Sequence, residues 1–174
     1  GQRGYLVMDT LDLDQIWKTA RTLMDRWSLE DWGLYLSAHR SNYGSCYHHR
    51  KTIALSAVIL PTVEPSEVID TILHEIAHAL VGSGVQDHGI EWKRMAVKVG
   101  ATPRAQGPTW VDPEPKWLGL CRHGKSHKRE RLTKRLACSC DGPTWKAENL
   151  IDWFKNPVRL ASDSMVAREI GRFK

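Results

Sequence analysis

Between Pro65 and Val81 the chain places Val68, Ile69, Ile72, Leu73, Ile76, Ala77, Leu80 and Val81 at three- and four-residue steps, the period of one wide helix face. Pro65 suits the first turn of such a helix, where its missing N–H is harmless, and Gly82 and Gly84 suit its end. A helix this apolar must be covered by the rest of the chain, so the pattern predicts a buried central element. Set into it is His74-Glu75-Ile76-Ala77-His78. Residues four apart share a helix face, with Cβ atoms roughly 5–6 Å apart. Two imidazoles can therefore converge on one metal ion while Glu75 stays beside it. Zinc fits this donor set. A catalytic zinc takes three protein ligands and keeps a position for water, whose pKa falls to about 7, within reach of a nearby carboxylate base. His74 and His78 are thus candidate ligands and Glu75 the candidate general base.

The third ligand must come from beyond the helix, because the next position on the same face would extend a line rather than close a tetrahedron. His88 is the candidate: Gly82 and Gly84 let the backbone turn back, and His88-Gly89 stands at the start of a following helix. Asp87 is placed to orient an imidazole as an acceptor. The bland alternative is a set of solvated or core histidines. It is outweighed by the coincidence of the motif, an amphipathic helix, flanking glycines and a downstream histidine.

Around this helix the patterning predicts an α+β fold in which the zinc helix packs on a small antiparallel sheet. Ile16, Ala20, Leu23, Met24 and Trp27 give a first helix from Asp12 to Trp27. Leu34, Leu36 and Ala38 alternate with Tyr35, Ser37 and His39 as a half-buried strand does. Ser45–His49 and Thr52–Ser56 read as two further short strands about a basic turn at Arg50-Lys51. Met95, Ala96 and Val99 suggest a helix from about Ile90 to Val99, ended by Gly100 and Pro103. Pro103, Pro108, Pro113 and Pro115 then mark an extended connector. The expected organisation is a core carrying the zinc helix over 8–110, a basic zinc-ribbon-like module over 111–158, and a tail or short terminal helix over 159–174.

The stretch Asp70-Thr-Ile-Leu-His-Glu-Ile-Ala-His-Ala-Leu-Val81, with His88-Gly-Ile-Glu-Trp-Lys93 and Gly100-Ala-Thr-Pro103, resembles the SprT-like metallopeptidase family, especially its small stand-alone bacterial and phage members. Thr52-Ile-Ala-Leu-Ser56 looks like the strand before that family's zinc helix. The downstream order is similar too: linker, zinc ribbon, then a Leu-x-x-Trp element matched by Leu150-Ile-Asp-Trp153. A metzincin would need histidine where Gly84 stands, which excludes that class. The resemblance implies zinc between helix and loop and, for the family's best-known members, cleavage of proteins crosslinked to DNA.

Downstream, Cys121, His123, Cys138 and Cys140 are candidate ligands of a second, structural zinc, with His127 as an alternative to His123. One-residue spacings between the paired ligands depart from the usual two, and a ribbon held without metal by Trp117, Leu118, Leu132 and Leu136 is the competing expectation. Between these ligands, Lys125, Lys128, Arg129, Arg131, Lys134 and Arg135 face a lone Glu130. Such a run can neutralise phosphates, and Trp110, Trp117 and Trp145 can stack on bases, so single-stranded or distorted DNA is an expected partner beside the protein substrate. A merely solvated face is the alternative. Tyr35, Tyr43, Tyr47, His48 and His49 are candidates to stabilise an oxyanion, and Cys46 reads as a small buried residue.

Composition bounds the rest. The chain of 174 residues is 41% hydrophobic with eight tryptophans and 26% charged, enough apolar surface for a core. Its net charge of +5 permits a polyanionic partner. The absence of an 18-residue apolar run or a signal-peptide pattern argues against membrane insertion and secretion. Four unevenly spaced cysteines argue for reduced thiols. The expected location is the cytoplasm, of a host cell if the chain is phage-encoded. The alternative function is a DNA- or protein-binding module that keeps zinc without proteolysis.

Overall fold

The structure, a computed structural model, describes residues 9–105 and 114–173. Contacts gather the chain into two compact units, one reaching to Val111 and including Glu169–Lys174, the other Asp112–Arg168.

The first unit begins with helix α1 (Leu13–Arg26), which starts where a capping box can form. Asp12 accepts from the Gln15 amide at 2.8 Å and the Gln15 side chain accepts from the Asp12 amide at 2.9 Å, satisfying two donors that the first turn would otherwise leave open. Its buried stripe is Leu13, Ile16, Ala20 and Met24, which keeps Ile16, Ala20 and Met24 of the predicted face and adds Leu13, while Leu23 and Trp27 are only partly buried. Strands β1 (Gly33–Ser37), β2 (Gly44–Tyr47) and β3 (Thr52–Ser56) follow. Helix α2 (Pro65–Val81) carries the motif, and α3 (Ile90–Val99) ends on Gly100 at φ +94°. Helix α2 packs against α1, α3, β2 and β3. It is the central element that its apolar pattern demanded, although Ile69 lies outside the covered stripe and is exposed.

The sheet order is β1-β3-β2. The pairing of β2 with β3 is antiparallel as expected, but β1 runs parallel to β3, with Leu34 opposite Ile53 and Leu36 opposite Leu55. The sheet is therefore mixed. The chain reverses once between β1 and β2 and again at the His48–Arg50 turn, where Lys51 takes a left-handed φ of +46°; two reversals restore the first direction. Residues 48–49, expected to extend the second strand, belong to this turn. As the middle strand, β3 is buried from Ile53 through Ser56, while β2 lies at an edge.

The second unit is a three-stranded antiparallel sheet, order β5-β4-β6, formed by β4 (Trp117–Leu120), β5 (Ser126–Arg129) and β6 (Asp152–Lys155). Gly119 in the middle strand is required by close approach: a Cβ there would run into Ile151 and would meet Trp153 at 2.7 Å. Helix α4 (Pro157–Gly171) follows β6. Its first turn holds Arg159, which is buried and grips Glu130 through two bonds of 3.0 and 3.1 Å and Asp163 through one of 3.0 Å. The expected connector is described only at its ends, and Trp110 lies outside the described residues. Among the described residues no helix is long and apolar enough to cross a membrane.

Candidate metal centre

His74 and His78 project from one side of α2, one turn apart, and His88 meets them from the loop before α3. Their Nε2 atoms form a triangle with edges of 3.1 Å (His74–His88), 3.2 Å (His74–His78) and 3.0 Å (His78–His88). A neutral imidazole presents either a proton or a lone pair at Nε2. With three such atoms, at least one pair must face like with like. A cation removes the conflict, and the spacing is close to the roughly 3.3 Å expected between ligands about 2.0–2.1 Å from a tetrahedral zinc. Burial first, and the neighbouring imidazoles second, pull His74 and His78 down to about 4, so both keep lone pairs for a metal at neutral pH.

Three features hold this triangle. Trp92 of α3, fully buried, forms its floor, with ring centroids 4.6 Å from His74, 5.1 Å from His78 and 4.7 Å from His88. Such an apolar backing fixes imidazole orientation and limits solvent access. His88 itself adopts a left-handed φ of +52°, an uncommon conformation for a residue with a side chain and a frequent one at functional sites. Asp87 places Oδ1 3.5 Å from His88 Nδ1 and 3.8 Å from His78 Nε2, so the expected orienting carboxylate stands beside two of the ligands.

Glu75 is buried, and burial, reinforced by Asp87, pushes it up to about 8. It lies under the start of β2. A Cβ on Gly44 would come within 3.1 Å of Glu75 Cγ and 3.3 Å of Oε1, so glycine there is what lets the strand pass over the carboxylate. The histidines and Glu75 line a cleft of about 460 Å³, whose other wall is Asn42, Gly44, Ser45, Cys46, Tyr47 and His48. Of the oxyanion candidates, Tyr47 and His48 line it; Tyr35, Tyr43 and His49 do not. Cys46 is half-buried and its thiol is pushed up to about 12, by burial and then by Glu75. That suits an inert wall residue.

The second cluster brings together Cys121, His123, Cys138 and Cys140. Cys121 Sγ and Cys140 Sγ are 3.9 Å apart, and Cys138 Sγ is 3.3 Å from His123 Nδ1. Thiolates about 2.3 Å from a tetrahedral zinc stand about 3.8 Å apart, so four donors of the right kind close one sphere. The short spacings work because each pair sits on a tight turn, at Gly124 (φ +75°) and Gly142 (φ +133°). His127 is not among the four; it lies beside Cys121 and is the chief influence lowering that thiol. Burial and the adjoining cysteines push Cys140 up, a crowding of sulfurs that a cation would relieve. Asp141 Oδ2, 4.0 Å from His123 Nε2, backs the imidazole and is held by Asn149 through its other oxygen at 2.6 Å. Lys125, Lys128, Arg129, Arg131, Lys134 and Arg135 are all exposed on this unit, and Trp145 is 56% exposed while Trp117 is only partly so.

The sequence model of one family, described as the SprT-like family, matches residues 13–110, more than half of the 174-residue chain. The chain belongs to the SprT-like family. The match takes in the whole histidine triangle, Glu75, Gly44 and Trp92, whereas the Cys/His cluster of this SprT-like chain lies beyond it. No curated protein matches the chain.

Sequence reasoning did not find Trp92 as the floor, since a tryptophan in an amphipathic pattern reads as ordinary core. Nor did it find Gly44, although an isolated glycine at a strand is a signal of close approach.

Proposed function

We propose that this SprT-like chain is a zinc-dependent endopeptidase. The observation that carries the reading is the combination of a three-imidazole triangle with a buried carboxylate in one open cleft. A structural site has no use for Glu75 in that place. When bound by His74, His78 and His88, zinc supplies Lewis acidity for a carbonyl and lowers the pKa of water.

The chain's own residues supply the rest. Glu75, in its ionised form, accepts a proton from the attacking water and delivers it to the leaving amine. The free edge of β2, which forms a wall of the cleft, offers backbone groups to an extended peptide. Tyr47, on that strand and lining the cleft, is the hydroxyl available for a developing oxyanion. Trp92, packed against all three imidazoles, would shield the ligand side of a bound ion from water.

The substrates we propose are proteins associated with DNA. Supporting this is the basic run of the second unit, whose lone acid, Glu130, is neutralised by Arg159, leaving six exposed cations to meet phosphates. The exposed ring of Trp145 suits stacking on single-stranded bases.

Glu75→Gln tests the mechanism. It should retain zinc at the triangle and lose about 10²–10⁴-fold in cleavage of a DNA-bound protein. Undiminished cleavage would reject Glu75 as the base.

A further inference from the structure

We infer that His48 is a positioning residue of the metal centre, holding the ligand His78 in place through its backbone. This rests on the metal-centre reading above and is independent of whether the site cleaves peptides.

His78 sits in the last turn of α2, three residues before the helix ends at Val81. Carbonyls of a last turn lack partners further along the helix, and such turns fray. The His78 carbonyl accepts one bond from the Gly82 amide at a long 3.2 Å. A second comes from elsewhere in the fold: His48 Nε2 lies 2.9 Å from the same oxygen. A carbonyl only accepts, so His48 carries its proton on Nε2 and donates it. The His48 ring is in turn set edge-on to Trp32, with centroids 6.2 Å apart at 85°.

The donor is delivered by the turn between β2 and β3. The same hairpin that walls the cleft thereby clamps the ligand-bearing end of the zinc helix. His74, a turn further in, needs no such clamp, because the carbonyls and amides around it are bonded within the helix. The engaged Nε2–H also takes that atom of His48 out of service as an oxyanion donor.

His48→Ala and His48→Gln in the full chain test the assignment. Gln can donate from its side-chain amide to the same carbonyl; Ala cannot. Cobalt(II) is the probe. The thiolate cluster reports its own occupancy through sulfur-to-metal charge-transfer bands that three imidazoles lack, so titrations of the two sites separate. His48→Ala should weaken cobalt and zinc binding at the triangle by roughly 10- to 100-fold, the range seen when outer partners of metal ligands are lost. It should also shift the visible cobalt bands, with thiolate-site affinity unchanged. His48→Gln should recover most of both.

Wild-type affinity and spectrum in His48→Ala would overturn the proposal. So would a Gln variant as weak as Ala, because the ring's packing rather than its donated bond would then be responsible. If His48→Ala does not fold, the Gln variant decides alone. A wild-type chain that binds metal at the triangle yet cleaves nothing would defeat the peptidase reading and leave this one standing.

Discussion

The two clusters use zinc-competent donors to opposite ends. The histidine triangle stands on a fold that is complete without it: α2 is buried along Val68, Ile72 and Ile76, and Trp92 closes the space beneath the ligands. Three donors leave one side open to a cleft. The second cluster has four donors and no opening to spare, and its apolar centre consists of Cys121, Cys138 and Ile151 with Leu136, Cys140 and Trp153 against them. Three of those six are themselves candidate ligands. One site is set into an apolar core; the other supplies half of its own. With half of that centre made of ligands, the second unit is expected to lean on a metal for its stability.

The largest expected effect follows from that contrast. Chelation, or Cys138→Ser, should unfold the second unit, since structural zinc contributes on the order of 10 kcal/mol to small metal-dependent folds. The first unit should stay folded. Hydrogen exchange resolved by peptide would show protection lost over 114–168 and kept over α1 and α2; uniform loss, or none, would erase the distinction between the sites.

A smaller effect is expected at Gly44. An alanine there drives a methyl into Glu75 and the Ala54 carbonyl, 3.2 Å away, at a cost of about 1–3 kcal/mol typical of overpacking. The strand or the carboxylate must move, so Gly44→Ala should lower both the melting temperature of the first unit and any cleavage, with zinc content intact. A variant with wild-type melting and activity would show that β2 does not set the position of Glu75.

The smallest effect is on pH dependence after metal removal. His74 and His78 are lowered from 6.5 to about 4 in the fold, so the unfolded chain binds more protons in that window and stability falls as pH drops below about 6.5. Glu75 is raised from 4.5 to about 8, so its contribution is whole below 4.5 and is lost as pH rises through 8. Two groups outweigh one between these limits, and the metal-free first unit should melt highest near pH 6.5. Glu75→Gln should remove the alkaline decline and steepen the rise on the acid side, where Glu75 opposes the histidines; a decline that persists would assign it to another group.

Much of this was legible in the sequence where a period and a chemical motif coincide. The stripe of Ile16, Ala20 and Met24, the bounds of α3 and the strand Thr52–Ser56 follow from repeats of apolar residues. His88 was found because glycines allowed a turn back and no other histidine lay in reach. Strand direction was not legible: alternation at Leu34 and Leu36 reads the same in either sense, and the parallel partner of β1 is fixed by two later turns. Short ligand spacing at Cys121 and His123 argued against closure only because loop geometry at Gly124 is invisible in a spacing count. The roles of Trp92, Gly44 and His48 depend on what a distant segment lays against them, which no local pattern records.

The strand order has a further consequence for how the chain is made. Because β3 is the middle strand and the last of the three in sequence, neither β1 nor β2 has a neighbour to bond with until residues 52–56 have left the ribosome. Until then the ladder-forming groups of both strands stay bonded to water, and both ladders wait on the emergence of one five-residue strand.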